Sequence, residues 1–142
     1  MKKYKIGYTT GVFDMFHIGH LNIIKKAKSM CDILIVGVST DELVLQYKNK
    51  MPIIPFEERV AIVDALKYVD KVVEQTSMDK LSAWEKYRFD ALFHGDDWKG
   101  TNLYETIEKQ LSDVGCELVF LPHTAGTSST MLSKKLEQLS DK

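Results

Sequence analysis

The sequence predicts an α/β domain: a doubly wound, parallel five-stranded sheet with helices on both faces. Short, nearly continuous apolar runs alternate along the chain with segments whose apolar residues recur at three- and four-residue steps. That alternation calls for parallel strands joined by crossover helices. With 142 residues the chain is about one domain long, so residues 1–142 are read as a single unit. Its unusual polar residues gather after strand ends, where sheets of this kind bind their ligands.

Lys5 to Thr10 run into Gly11, a first strand closed by a glycine turn. From His17 to Met30 the residues Ile18, Leu21, Ile24 and Ala27 keep helical spacing. Ile33 to Val38 is an apolar run of the kind covered on both faces. Leu43 to Pro55, with Lys48, Lys50, Pro52 and Pro55, reads as an exposed basic loop. Phe56 to Leu66 is an amphipathic helix that opens with Pro55 and places Glu57 and Glu58 at its positive end. A third strand, Lys71 to Glu74, precedes a helix from Lys80 to Tyr87. Ala91 to His94 is a short buried strand ending in Gly95, and Leu103 to Val114 is a helix stopped at Gly115. Glu117 to Leu121, closed by Pro122, is the last strand, and Ser129 to Leu139 is a C-terminal helix.

Composition narrows the function. Hydrophobic residues make up 44% and charged residues 27%, with a formal charge of -1. This removes the broad cationic field on which sequence-independent nucleic-acid or anionic-membrane binding relies, so neither partner is expected. Lys2, Lys3 and Lys5 are not followed by an unbroken apolar stretch, since Asp14, His17 and His20 interrupt it. The reading is therefore a cytoplasmic protein without signal peptide or span. Cys31 and Cys116 fit neither a metal motif nor a disulfide framework and are read as reduced thiols in or near the core.

Four polar clusters come after strand ends: Asp14 to His20, Lys48 to Lys50, Gly95 to Trp98 and His123 to Thr130. Together they predict one composite site. His17 and His20 stand three apart at a helix start, so both imidazoles share one face beside backbone N–H groups that have no partner within the helix. That is an anion site, and phosphate oxygens fit it. Gly19 leaves room for a phosphate chain, and Gly11 is assigned the tight turn. Asp14, His17 and His20 could chelate zinc on spacing alone, but the step from loop to helix turns Asp14 away from the imidazoles, so no direct protein ligation of a metal is expected. Small hydroxyl residues before the last helix offer further donors, or a plain helix cap.

These residues carry a resemblance. The segment from Gly11 to His20 is similar to the G-x-F-D-x-x-H-x-G-H signature of the nucleotidyltransferase superfamily. The wider chain resembles its small cytidylyltransferases, above all those that use glycerol 3-phosphate. Ser39-Thr40-Asp41-Glu42, Lys48 and Lys50, Glu58-Arg59, Lys67 to Asp70, Gly95-Asp96-Asp97-Trp98 and Thr124 to Thr130 occur in the family's order. The resemblance implies a Rossmann-like fold, a homodimer, and an enzyme that joins CTP to a phosphorylated alcohol, releasing pyrophosphate with Mg²⁺ held mainly through the nucleotide phosphates. Other acceptors (phosphoethanolamine, phosphocholine, another polyol phosphate), ATP in place of CTP, and a nucleotide-binding module with reduced turnover are the alternatives.

The resemblance also implies roles, motif by motif. His17 and His20 would hydrogen-bond the triphosphate near the scissile bond. Lys48 and Lys50 would clamp the two anions together, against an ordinary solvated pair as the alternative, and Lys48 and Lys80 would meet the acceptor. Gly11, Val12, Phe13, Asp14, Gly19, Lys67, Gly95, Asp97, His123, Thr124, Gly126, Ser128, Ser129 and Thr130 would form the nucleotide site. Asp14 would orient the first loop, assist the metal or cap the helix. Asp41, Arg59, Asp70 and Trp98 would support the site, with Arg59 and Asp70 pairing with one another. Three departures stand out: Val12 replaces a common Thr, Lys67 a common Arg, and His123 an Arg whose fork and permanent charge imidazole does not supply.

Overall fold

The structure, a computed structural model, describes residues 3–96, 99–122 and 134–138. In chain order it runs β1 (Tyr4–Gly11), α1 (Ile18–Ser29), β2 (Cys31–Ser39), α2 (Asp41–Lys48), α3 (Phe56–Asp64), β3 (Lys71–Gln75), α4 (Lys80–Tyr87), β4 (Ala91–Gly95), α5 (Asn102–Asp113) and β5 (Glu117–Leu121). The strands form one sheet in the order β3-β2-β1-β4-β5, every neighbouring pair parallel. Strand order reverses between β1 and β4, which opens a crevice at the carboxyl ends of those strands.

Both faces of the sheet are covered. Ile24 and Ala27 of α1 and Val63 of α3 pack with Leu34, Val36, Val38 and Phe93 on one face. Tyr104, Ile107 and Leu111 of α5, with Trp84 and Tyr87 of α4, pack with Tyr8, Ile35 and Leu92 on the other. Successive β2 side chains serve opposite faces, which is why that strand is apolar without alternation. The packing is close at the centre. A Cβ at Gly7 would lie 2.5 Å from Phe93 Cε2, and one at Gly37 would lie 2.5 Å from Tyr8 Oη. Cys31 and Cys116 are buried and unbridged. Among the described residues no helix is long and apolar enough to cross a membrane.

The basic segment read as a loop from Leu43 is helical as far as Lys48. Thr40 caps α2 by accepting the Leu43 N–H at 3.2 Å, Asp41 and Glu42 sit at the positive end of the helix, and Leu43 and Val44 are buried. Pro52 and Pro55 restrict only the backbone beyond Asn49, which lies in the left-handed region at φ 58° and ends the helix. Gly115, at φ 82°, stops α5 as the sequence suggests. Residues 134–138 are helical, and the rest of the segment from Ser129 to Leu139 lies outside the described residues.

Candidate active site

The loops after β1 and β2 meet at the carboxyl edge of the sheet. The chain leaves β1 through an unusual turn. Gly11, assigned the tight bend from sequence, is an ordinary strand residue, and the left-handed conformations fall on Phe13 (φ 55°) and Met15 (φ 49°). Such conformations strain residues with side chains and persist only where the surroundings enforce them. The role of Gly11 is space: a Cβ there would sit 3.1 Å from the Phe13 ring, which lies buried over it.

The turn delivers the two histidines as a reciprocal helix cap. His17 is the N-cap of α1, and its Nδ1 accepts the Gly19 N–H at 3.0 Å. His20 Nδ1 accepts the His17 N–H at 3.2 Å. The rings stack with centroids 3.9 Å apart. An Nδ1 that accepts cannot carry the proton, so each neutral ring holds its hydrogen on Nε2. Burial lowers the His17 pKa. Burial, then the neighbouring His17 and, against the pull of Asp14, Lys48 bring His20 down to about 4. Both side chains are therefore uncharged donors at neutral pH. His17 Nε2 is buried and has no hydrogen-bond partner among the described residues.

Lys48 ends α2 beside this pair. Partial desolvation, then the Lys50 charge, pull it below the ordinary lysine range, while Asp14 pulls it back. The Asp14 carboxylate accepts the Ile54 N–H through Oδ1 at 2.8 Å and the Ile53 N–H through Oδ2 at 2.9 Å. Among the described residues no three His, Cys, Asp or Glu side chains are grouped to hold a metal ion. The donor set of N–H and ammonium groups suits phosphate oxygens.

Arg59 and Asp70, expected from the sequence to pair with one another, are at opposite ends of the sheet. Arg59, buried in α3, donates from Nη2 to Asp41 at 2.6 Å. It also reaches three carbonyls: Val12 at 2.8 Å, Ser39 at 2.7 Å and Ile54 at 2.9 Å. A planar fork with five donors can do this, and it ties the loop after β1 to the loops after β2. Asp70 instead accepts from Lys28 at 2.7 Å and from the Leu34 N–H at 2.8 Å, at the amino-terminal side of β3. Lys67 belongs to the same connection between α3 and β3, its ammonium over the Tyr68 ring at 5.3 Å. The fold thus places it at the amino-terminal side of β3, whereas the histidines stand at the carboxyl edge of the sheet.

Lys80 opens α4, is 2% exposed, and donates to Thr10 Oγ1 at 2.9 Å. Burial draws its pKa down to about 8. Thr10, one residue before the strand end, was missed in the sequence; its hydroxyl beside Gly11 was the available signal. Gly95 ends β4, where a Cβ would make only an ordinary 3.6 Å contact with Ile23. Asp97, Trp98, His123, Thr124, Gly126, Ser128, Ser129 and Thr130 lie outside the described residues.

The cytidylyltransferase-like family profile matches residues 8–135. A glycerol-3-phosphate cytidylyltransferase of Bacillus spizizenii is 36% identical over 132 residues, covering 92% of this chain and 96% of that one. Its namesake in Bacillus subtilis is 34% identical over 138 residues, with the same coverage. A crystal structure of a lipopolysaccharide core biosynthesis protein from Thermoplasma volcanium superposes with a TM-score of 0.71 at 25% identity, covering 85% of this chain and 97% of that one. With a turn that presents paired imidazole donors at the crevice of a Rossmann-like sheet, this chain belongs to the cytidylyltransferase-like family.

Proposed function

We propose that the protein joins CTP to a phosphorylated alcohol, glycerol 3-phosphate foremost, giving CDP-glycerol and pyrophosphate. One observation carries the reading: His17 Nε2–H, buried and without an acceptor among the described residues, beside a second ring locked in the same tautomer. A buried orphan donor is costly, by about 1–3 kcal/mol, and an oxygen-rich anion removes that cost. The names of the relatives support CTP and glycerol 3-phosphate as the pair.

The reaction asks little acid–base chemistry of the chain. An acceptor phosphate oxygen attacks the α-phosphorus, a P–O bond forms, and the α–β bridging bond breaks with its electron pair leaving on pyrophosphate. A phosphomonoester with a second pKa of about 6 is mostly dianionic at pH 7, so no base must remove a proton. The chain's work is positioning and charge stabilisation. His17 and His20 donate to the phosphate oxygens, Lys48 and Lys50 draw the two anions together, and Lys80, aligned by Thr10, meets the acceptor phosphate. Mg²⁺ on the phosphates would offset charge on the departing pyrophosphate. We also read the protein as a homodimer, to be tested by sedimentation.

The deciding experiment pairs each of the four nucleoside triphosphates with glycerol 3-phosphate, phosphoethanolamine, phosphocholine and other polyol phosphates, with Mg²⁺, monitoring pyrophosphate. CTP with glycerol 3-phosphate is expected to turn over fastest. CTP binding without turnover of any pair would make the protein a nucleotide-binding module.

A further inference from the structure

We propose that Asp14 is a latch: its carboxylate straps the basic loop to the histidine turn and so aims Lys48 and Lys50, making it a positioning residue and not a ligand of nucleotide or metal. The loop from Asn49 to Pro55 needs such a device. Met51 and Ile53 are each 53% exposed, so apolar burial does not anchor it there. Its anchorage is polar and two-sided. Ile54 gives its N–H to Asp14 and its carbonyl to Arg59, and Arg59 holds the Val12 carbonyl from below. The neighbouring Ile53 N–H fills the second carboxylate oxygen. Two consecutive amides on one ionised carboxylate form charge-assisted bonds, the stronger class of hydrogen bond.

The placement of the latch also explains the turn that bears it. Asp14 stands between Phe13 and Met15, both left-handed, so the strained backbone is where the carboxylate is presented to a loop about 40 residues later in sequence. Asp14 acts electrostatically on both His20 and Lys48, opposing the lowering of each pKa, so its carboxylate lies near both. If the latch is released, the histidines keep their own cap while the lysines lose their fixed approach. The role of the lysines rests on the cytidylyltransferase reading; the latch itself does not.

Amide hydrogen exchange on the free wild-type protein tests the latch whatever the substrate. The Ile53 and Ile54 amides are expected to be protected although Ile53 lies at the surface, and exchange at free-peptide rates would overturn the proposal. In Asp14→Asn those two amides should exchange at least tenfold faster, with the strands unchanged; unchanged exchange at both would also overturn it. A mutant cycle tests the coupling. Asp14→Asn should lower kcat/KM about 10- to 100-fold, the scale of one charge-assisted hydrogen bond. In a Lys48→Ala/Lys50→Ala background its effect should shrink to about twofold, because Asp14 acts through those two lysines. Equal losses in both backgrounds would mean that Asp14 touches the reactants directly. If no substrate pair turns over, the same cycle is read in CTP affinity.

Discussion

At the residue scale, the two histidines are useful because they are neutral. A protonated His20 would have to surrender the Nδ1 lone pair that accepts the His17 N–H, so acid dismantles the cap that presents the site. Folded His20 resists protonation down to about 4, whereas the unfolded imidazole takes its proton near 6.5. Between these values the unfolded state binds more protons, and stability therefore falls as pH is lowered through that window. A loss on the order of 3 kcal/mol is expected. Denaturant melts across the window check it, and melts independent of pH would contradict it. Lys80 has the same sign at higher pH. Its burial cost is present below about 8 and is relieved as pH rises toward 10.5. Lys80→Met should therefore stabilise the protein at pH 7 by about 1–3 kcal/mol while raising the KM for the acceptor. A destabilised variant with normal kinetics would refute both halves.

At the element scale, the site depends on how loops are tied at the carboxyl edge. Arg59 is central, since one guanidinium holds Val12, Ser39, Asp41 and Ile54. Lysine has the charge but not the fork. Arg59→Lys should cost about 2–4 kcal/mol in thermal melts and lower turnover, while a stability change within about 0.5 kcal/mol would show the hub to be dispensable. The same elements show where the sequence was readable. Strand bounds could be taken from short apolar runs, and Lys80–Tyr87 and Glu117–Leu121 agree with their expected limits. Helix α2 was hidden by the two prolines after it, which lower the helical prospects of the segment as a whole, although Thr40, Asp41 and Glu42 already spelled a helix start.

At the scale of the whole molecule, the alternation of apolar runs and amphipathic segments was enough to fix a parallel, doubly covered sheet, because a strand apolar on both faces has few other homes. The histidine turn was equally legible, since a local motif brings its own geometry. Pairings across the fold were not. That Arg59 would find Asp41, and Asp70 would find Lys28, depends on which loops share an end of the sheet, and charge complementarity alone does not choose among such partners. If the site binds phosphates as proposed, the neutral imidazoles also divide the binding energy by physical kind. At about 0.15 M ionic strength, charges separated by more than ~8 Å are largely screened from one another, but a short N–H···O contact from an uncharged ring is nearly indifferent to dissolved ions. Added potassium chloride would therefore loosen the grip of the lysines and leave that of the rings, and the slope of affinity against salt would count ammonium groups alone.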